Sequence, residues 1–429
     1  LTGQAPVKRP KGYHQVMDLT KLFKPVTQAT AVAKRAADVL PTARKLVAAA
    51  NKTPGPVHLS LPKDVAAKMV PYKAKLARAP RARRPAPSAT SLTKAVSLLK
   101  KAKNPVILAG DVIMREHGDR TARAVLAFAK AHGIPIVPST MAKGMLPWSN
   151  ASVLPPLDAA ASGLGGAAVR KADLILSVGY HPTETLEPKS FNPKNRAKVI
   201  QLSPVRLTRT QKVEGMKPRV EINSRLTTSL RALHRALNGY QAPAQAMTSA
   251  GKVRAKHERE LAKAKTLTGK AKAPLKPQRV IAELKRALED SGGGRGKKGG
   301  AMVFSDIGIN KEMITHWYKV DQPRELIINN GLSTMGIALP SAVGAKLANP
   351  KLKVLSVSGD AGFMMTAQEL ATAAAKKLPI AHVVFLDGKL GLIQARQHTA
   401  GLKTSGTTMP RQADVIKIAR GLGAEAHVV

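Results

Sequence analysis

The sequence predicts an α/β protein built on doubly wound parallel sheets with helices on both faces. Three observations carry that expectation. Short, continuous apolar runs alternate with stretches of helical periodicity. Two of those runs end on an aspartate. Hydrophobic residues make up 44% of the 429, enough to build cores and to exclude wholesale disorder.

Taken in order, residues 1–77 form a first globular stretch. A join rich in turn breakers and like charges, Arg78-Ala79-Pro80-Arg81-Ala82-Arg83-Arg84-Pro85-Ala86-Pro87, separates it from the next and shows no apolar periodicity. Residues 88–240 read as a Rossmann-like domain. Val106–Gly110, Ile134–Val137, Leu174–Val178 and Val199–Leu202 are expected strands, with a helix over Thr121–His132. Residues 241–273 form a basic, Ala-rich linker, expected as a helix with a solvated face. Residues 274–429 repeat the α/β alternation. Strands are expected at 302–304, 326–328, 354–357 and 381–386, and helices at 311–318, 337–348 and 367–376. A GxGxxG pattern at Gly294–Gly299 follows a helix and precedes a strand. The dinucleotide fingerprint needs the reverse, so the segment reads as a flexible basic insertion.

Lys and Arg number 70 against 26 Asp and Glu, a net charge of +44. Such an excess attracts polyanions, so nucleic acid is a partner to consider through the basic surface; a merely solvated basic surface is the plainer reading. Aromatic residues are 3%, which leaves few stacking platforms for single strands. The absence of cysteine excludes disulfides and thiolate metal sites and leaves the redox compartment open. No stretch of about 18 apolar residues lacks a charge, so no membrane span is expected. The chain opens on Leu1 without a recognisable signal peptide and reads as a piece of a longer protein.

In an open parallel sheet ligands sit beyond the carboxyl ends of the strands. Attention therefore falls on residues 306–308, 330–335, 359–362 and 387–391. Asp360 and Asp387 end neighbouring expected strands about 27 residues apart, one helix plus one strand, which places both carboxylates on one edge. Taken singly, Asp360 has a local role as a helix cap and Asp387 as part of a turn with Gly388. As a pair they would repel unless a cation sat between them, and Mg²⁺ completed by phosphate oxygens suits such a site. Gly359 and Gly362 permit close backbone approach, and a helix expected from near Thr366 would direct N–H groups at an anion.

The segment Val357–Leu370 resembles the thiamine-diphosphate motif. Asn330–Pro340 is similar to the segment that precedes it in acetolactate synthases, Gly55–Val65 to the end of the family's pyrimidine-binding domain, and Gly179-Tyr180-His181-Pro182 to a middle-domain segment of the FAD-independent members. The resemblance implies a thiamine-diphosphate-binding fold. It also implies an acetolactate synthase-like carboligase, which decarboxylates pyruvate and condenses it with a second 2-oxo acid, with thiamine as electron sink. Mg²⁺ would be held by Asp360, Asp387 and the backbone carbonyl of Lys389. Gly308, Ile309, Asn310, Gly359, Ala361 and Gly362 would meet the diphosphate. Thr334 and Met335 would lie against the cofactor, Met335 propping its bent shape unless it is ordinary core. Leu390, Gly391, Leu392 and Ile393 would line it. Gln4 would face the active site from a neighbouring subunit of a homodimer or homotetramer; otherwise it belongs to a surface turn. A cytoplasmic location is implied, or a plastid or mitochondrion in a eukaryote. FAD is disfavoured by the middle-domain likeness, although Gly110 and Gly179 stand at strand ends where a nucleotide would lie.

Departures from the family pattern are Ala361 for Gly, Asp387-Gly388 for Asn-Asn, and Lys389-Leu390 for a Gly-Tyr-like pair. The family's catalytic Glu falls upstream of Leu1 and the chain stops before the substrate-covering segment, so this stretch alone is expected to be inactive. Two other readings stand beside the first. One is a different thiamine-diphosphate decarboxylase or carboligase, such as one acting on glyoxylate. The other is a basic pseudoenzyme with a structural or RNA-binding role, favoured by the charge and Lys389 and opposed by the preserved Asp360/Asp387 pair.

Overall fold

The computed structural model describes all residues except 11, 53–54, 72–84, 159–162, 185–186, 267–274, 294–299 and 410–413. Most of the join at 78–87 and of the expected Gly-rich insertion lies outside the described residues. The chain divides into two compact units, Leu1–Pro85 and Ala86–Val429.

The first unit is a parallel sheet of β1 (Thr2–Gln4), β2 (Ala29–Val32) and β3 (Val57–Pro62) in the order β1-β3-β2. The helix Val39–Lys52 covers it, and Ala33, Leu46, Leu59 and Val65 form the core. Buried His58 bridges the sheet through Thr2 Oγ1 (2.8 Å) and Thr30 Oγ1 (2.7 Å).

The second unit holds two parallel sheets. In the first, β4 (Pro105–Ala109), β5 (Ile136–Pro138), β6 (Leu174–Val178), β7 (Lys198–Ser203) and β8 (Pro218–Asn223) lie in the order β5-β4-β6-β7-β8. The near-continuous apolar runs of β4 and β6 follow from burial on both faces. Ile107, Leu176, Ile200 and Leu202 pack with the helices Ala89–Lys101, Asp119–His132 and Leu226–Leu237. The alternate residues Val106, Leu108, Ile175 and Val199 pack with Leu154, Phe191 and Met216 on the other side. Strand β8 was not anticipated. It opens on Pro218 and is mixed in polarity because it lies at the sheet edge, where proline is tolerated.

The second sheet comprises β9 (Ala301–Ser305), β10 (Leu326–Ile328), β11 (Lys353–Gly359) and β12 (Ala381–Phe385), in the order β10-β9-β11-β12. Val303, Leu355 and Val357 face Ile281, Ile314 and Tyr318. Phe304 and Val354 face Ala338 and Ala342 of the helix Ala338–Ala348. The basic linker forms a helix over Ala244–Thr266 that has the expected solvated face and, opposite it, a buried one. Ala246, Ala250, His257, Leu261 and Ala264 recur at helical spacing and are buried.

The two sheets of this unit meet along a main-chain seam. Trp148 N–H donates to the Val320 carbonyl and Arg324 N–H to that of Gly144, both at 2.7 Å. A Cβ on Gly144 would overlap the Leu326 carbonyl oxygen, so glycine is required by this close approach.

Candidate functional site

Strand order brings the carboxyl ends of β9, β11 and β12 side by side. β11 pairs with β12 up to Gly359–Phe385, so Asp360 and Asp387 leave adjacent strand ends as the spacing predicted. One local expectation is corrected. The helix after β11 begins at Asp360 and runs to Thr366, followed by a second helix at Glu369–Ala375, instead of one helix starting near Thr366. Gly359 takes the extended N-cap conformation, and the Asp360 carboxylate stabilises the first turn by accepting the Ala361 N–H at 2.7 Å. Phe363 then turns inward onto His382, with ring centroids 5.6 Å apart.

Asp360 is 3% exposed, and its second oxygen accepts the Gly388 N–H at 2.7 Å. Asp387 lies further out and accepts the Lys389 N–H at 3.1 Å. Desolvation raises the Asp387 pKa, the Lys389 amide opposes the rise, and the charge of Asp360 adds to it. That electrostatic contact is what two carboxylates prepared for a shared cation would show. The carbonyls of Gly388 and Thr407 accept bonds from Met409 and Leu390, which hold the segment around Lys389 in place. The Lys389 side chain is exposed. The donor set is all oxygen and fits a hard dication such as Mg²⁺.

Gly308, Ile309 and Asn310 open the helix Ile309–Trp317 directly beyond β9. Gly308 has φ of 146°, and a Cβ there would lie 2.5 Å from Asn310 Oδ1, so the turn needs glycine. Asn310 is buried and donates to the Asp306 carbonyl at 3.0 Å. A Cβ on Gly391 would meet Ile309 Cγ2 at 3.1 Å and Asp387 Oδ2 at 3.4 Å, which brings the segments 308–310 and 387–391 together. The result is a cradle lined by main chain and small residues, of the kind a diphosphate needs. Ala361 has no positive φ, so the change from glycine is sterically allowed. Leu390, Gly391 and Leu392 are half-buried, and Ile393 is exposed.

Asp306, which the sequence singled out only by position, organises the cradle from beneath. It is 1% exposed and accepts N–H groups from Ile307 (2.6 Å) and from Gly336 through both oxygens (2.9 and 3.0 Å). Burial raises its pKa and those amides pull the other way. A Cβ on Gly362 would come within 2.7 Å of Asp306 Oδ2. Gly336, at φ 80°, is also held by Thr366 Oγ1, which donates to its carbonyl at 2.9 Å. Half-buried Met335 and exposed Thr334 are thus carried on a turn fixed at its end.

Gln4 belongs to the first unit. It lies in β1, not in a turn, and its amide oxygen accepts Ser60 Oγ.

The central sheet has the strand order in which ligands lie between β4 and β6. Here that crevice is closed. A Cβ on Gly110 would overlap the main chain of Gly179 and Tyr180. Buried Glu184 takes the N–H groups of Asp111 (3.0 and 3.2 Å) and His181 (2.8 Å) and the hydroxyl of Ser139. The main-chain donors of Asp111 and His181 at this crevice are thus taken by protein. Burial, reinforced by Asp111, pushes the Glu184 carboxyl up to about 8. Its main-chain carbonyl accepts Asn330 Nδ2 at 2.9 Å, linking this region to the segment that carries Met335. Neither Asp306 nor Glu184 has a sequence signal beyond its place near a strand end.

Residues 92–233 match the thiamine pyrophosphate enzyme central domain and residues 306–429 the C-terminal TPP binding domain, together more than half of the chain. The chain is similar to the probable acetolactate synthase large subunit of Methanocaldococcus jannaschii, at 26% identity over 99% of this chain and 71% of the relative. It is 27% identical to acetolactate synthase of Bacillus subtilis, over 97% and 70% of the two chains. It is 26% identical to glyoxylate carboligase of Escherichia coli O157:H7, over 99% and 71%. Among the described residues, no helix is long and apolar enough to cross a membrane. With both its central and its cofactor-binding domain matched, the chain belongs to the thiamine pyrophosphate enzymes.

Proposed function

We propose that this chain acts in an acetolactate synthase-type carboligase that decarboxylates pyruvate and joins the product to a second 2-oxo acid. The observation that carries the reading is the placement of Asp360 and Asp387 at neighbouring strand ends beside the Gly308–Asn310 and Gly391 turns. Relatives named acetolactate synthase support it, and the relative named glyoxylate carboligase keeps a glyoxylate-type donor as the nearest alternative.

When bound, thiamine diphosphate supplies the electron sink for decarboxylation. The residues of this chain then have distinct tasks. Asp360, Asp387 and the Lys389 carbonyl hold Mg²⁺, which neutralises the diphosphate. Gly308, Ile309, Asn310, Gly359, Ala361 and Gly362 would line the cradle of that diphosphate, where glycine and alanine leave room for its oxygens. Met335, Leu390, Gly391, Leu392 and Ile393 form the apolar wall that orients the cofactor and excludes water, and Thr334 borders it. Gln4 serves the site of a neighbouring subunit in a homo-oligomer. The implied compartment is the cytoplasm, or an organelle in a eukaryote.

Calorimetry on the purified protein tests the site. Thiamine diphosphate should bind in the presence of Mg²⁺ and lose most of its affinity with EDTA. Asp360→Asn and Asp387→Asn should each weaken binding at least tenfold. Equal binding by wild type and both variants would refute the assignment. The net charge of +44 favours a second reading, polyanion binding. It would be supported by RNA binding with a steep salt slope in a protein that does not bind the cofactor.

A further inference from the structure

Two helices of the second unit face each other through side chains that the cofactor site does not use. His257 and Glu260 stand one turn apart on the helix Ala244–Thr266, so both project from one side. His316 comes from the helix Ile309–Trp317. Glu260 Oε2 lies 3.1 Å from His316 Nε2 and 3.6 Å from His257 Nδ1. All three ligand atoms lie within 4.8 Å of one another. The imidazoles are nearly perpendicular, at 86°, with centroids 4.8 Å apart.

The 3.6 Å separation decides between explanations. It is too long for a hydrogen bond. His257 is 2% exposed, and its Nδ1 has no hydrogen-bond partner among the described residues. A buried ring nitrogen left in that state is unfavourable. Two ligand atoms on one tetrahedral zinc, each roughly 2.0–2.2 Å from the ion, stand about 3.4 Å apart. The gap between His257 and Glu260 is therefore close to a ligand–ligand distance. We propose that His257, Glu260 and His316 form a site for Zn²⁺ or a similar imidazole-seeking dication, separate from the diphosphate site.

The surroundings admit such an ion. A cavity of about 20 Å³ adjoins His257, lined in part by Lys143, Trp148 and Tyr318. It has room for one water beside His257. Three protein ligands with one open position is a common zinc arrangement. Of the nearby cations, Lys319 and Arg254 are paired with Glu258 at 3.3 and 3.8 Å, and Lys143 donates to the Thr315 carbonyl. Asp158 adds a second negative charge near His316. An ion here would staple the linker helix to the helix that begins at Gly308.

Calorimetric titration of chelator-stripped protein with Zn²⁺, without thiamine diphosphate or Mg²⁺, tests the proposal. One equivalent should bind with a submicromolar Kd, and Co²⁺ in its place should give the intense visible absorption of a tetrahedral site. His316→Ala and Glu260→Gln should each weaken binding at least tenfold, whereas Asp360→Asn should leave it unchanged. His316 is partly exposed, so its replacement should spare the fold, as circular dichroism checks; if it does not, Glu260→Gln carries the comparison. Failure of Zn²⁺ to bind, or equal binding by wild type and Glu260→Gln, overturns the proposal, and His257 Nδ1 then holds a buried water only.

Discussion

The main-chain N–H of Gly336 is shared between the two carboxylate oxygens of Asp306, at 2.9 and 3.0 Å. Asp306 directly follows β9 and Gly336 ends the turn that carries Met335, so a single buried carboxylate ties two sides of the candidate cofactor cradle. Asp306→Ala leaves that amide without its acceptor, which costs about 1–3 kcal/mol. Thermal denaturation should show a lowered midpoint, and thiamine diphosphate affinity should fall with it. Asp306→Asn should recover part of both. A midpoint for Asp306→Ala equal to that of wild type would show that the contact does not matter.

Two neighbouring substitutions should differ in size of effect. Gly362→Ala places a methyl 2.7 Å from Asp306 Oδ2 and forces one of them to move. Overpacking of this kind costs about 1–3 kcal/mol. Ala361→Gly restores the family's usual residue at a position with no positive φ, and should change stability by less than about 1 kcal/mol through backbone entropy alone. Urea denaturation of the two variants side by side is the measurement.

His382 should make the protein acid-sensitive. The ring lies between Ser356 Oγ (2.6 Å) and Ser358 Oγ (3.1 Å), and burial pushes its pKa down to about 4. Between about pH 6.5 and 4 the unfolded chain binds a proton here that the folded chain refuses. The His382 contribution is therefore complete above about pH 6.5 and declines as pH falls through that window. His382→Asn should remove this component, which stability measured at pH 7 and pH 5 would reveal as a smaller difference in the variant.

Glu184 should act with the opposite sign. Its carboxyl stays protonated to about pH 8 in the fold and ionises near 4.5 when unfolded. The folded state holds the extra proton between these values, so stability from this group falls as pH rises through that window. Glu184→Gln should flatten the profile between pH 5 and 8. An unchanged slope would mean that the Asp111 and His181 amides keep the carboxylate ionised.

What the sequence disclosed follows from which interactions are local. The apolar runs of β4, β6, β9 and β11 are buried on both faces, so their composition alone marks them. The Asp360/Asp387 pair was legible because parallel strands separated by one helix must end on one edge. The helix start at Asp360 was hidden because Gly359 offers no capping side chain and the carboxylate of Asp360 takes that part from inside the first turn. The contacts of Asp306 and Glu184 were hidden for another reason. Their partners, Gly336 and Ser139, are distant in sequence, and no periodicity encodes such a contact. The edge strand β8 was missed through its leading proline and mixed polarity.

The seam at Gly144, Trp148 and Arg324 joins the two sheets of the second unit by main-chain bonds and by a backbone approach that admits no side chain. Elements joined so closely melt together, since losing one sheet exposes polar backbone on the other. Residues 86–429 should therefore give a single calorimetric transition instead of two. Because any ligand that binds the folded state stabilises every element within its cooperative unit, diphosphate bound beside Asp360 should protect amides of β4 and β6 from hydrogen exchange, although those strands never touch it.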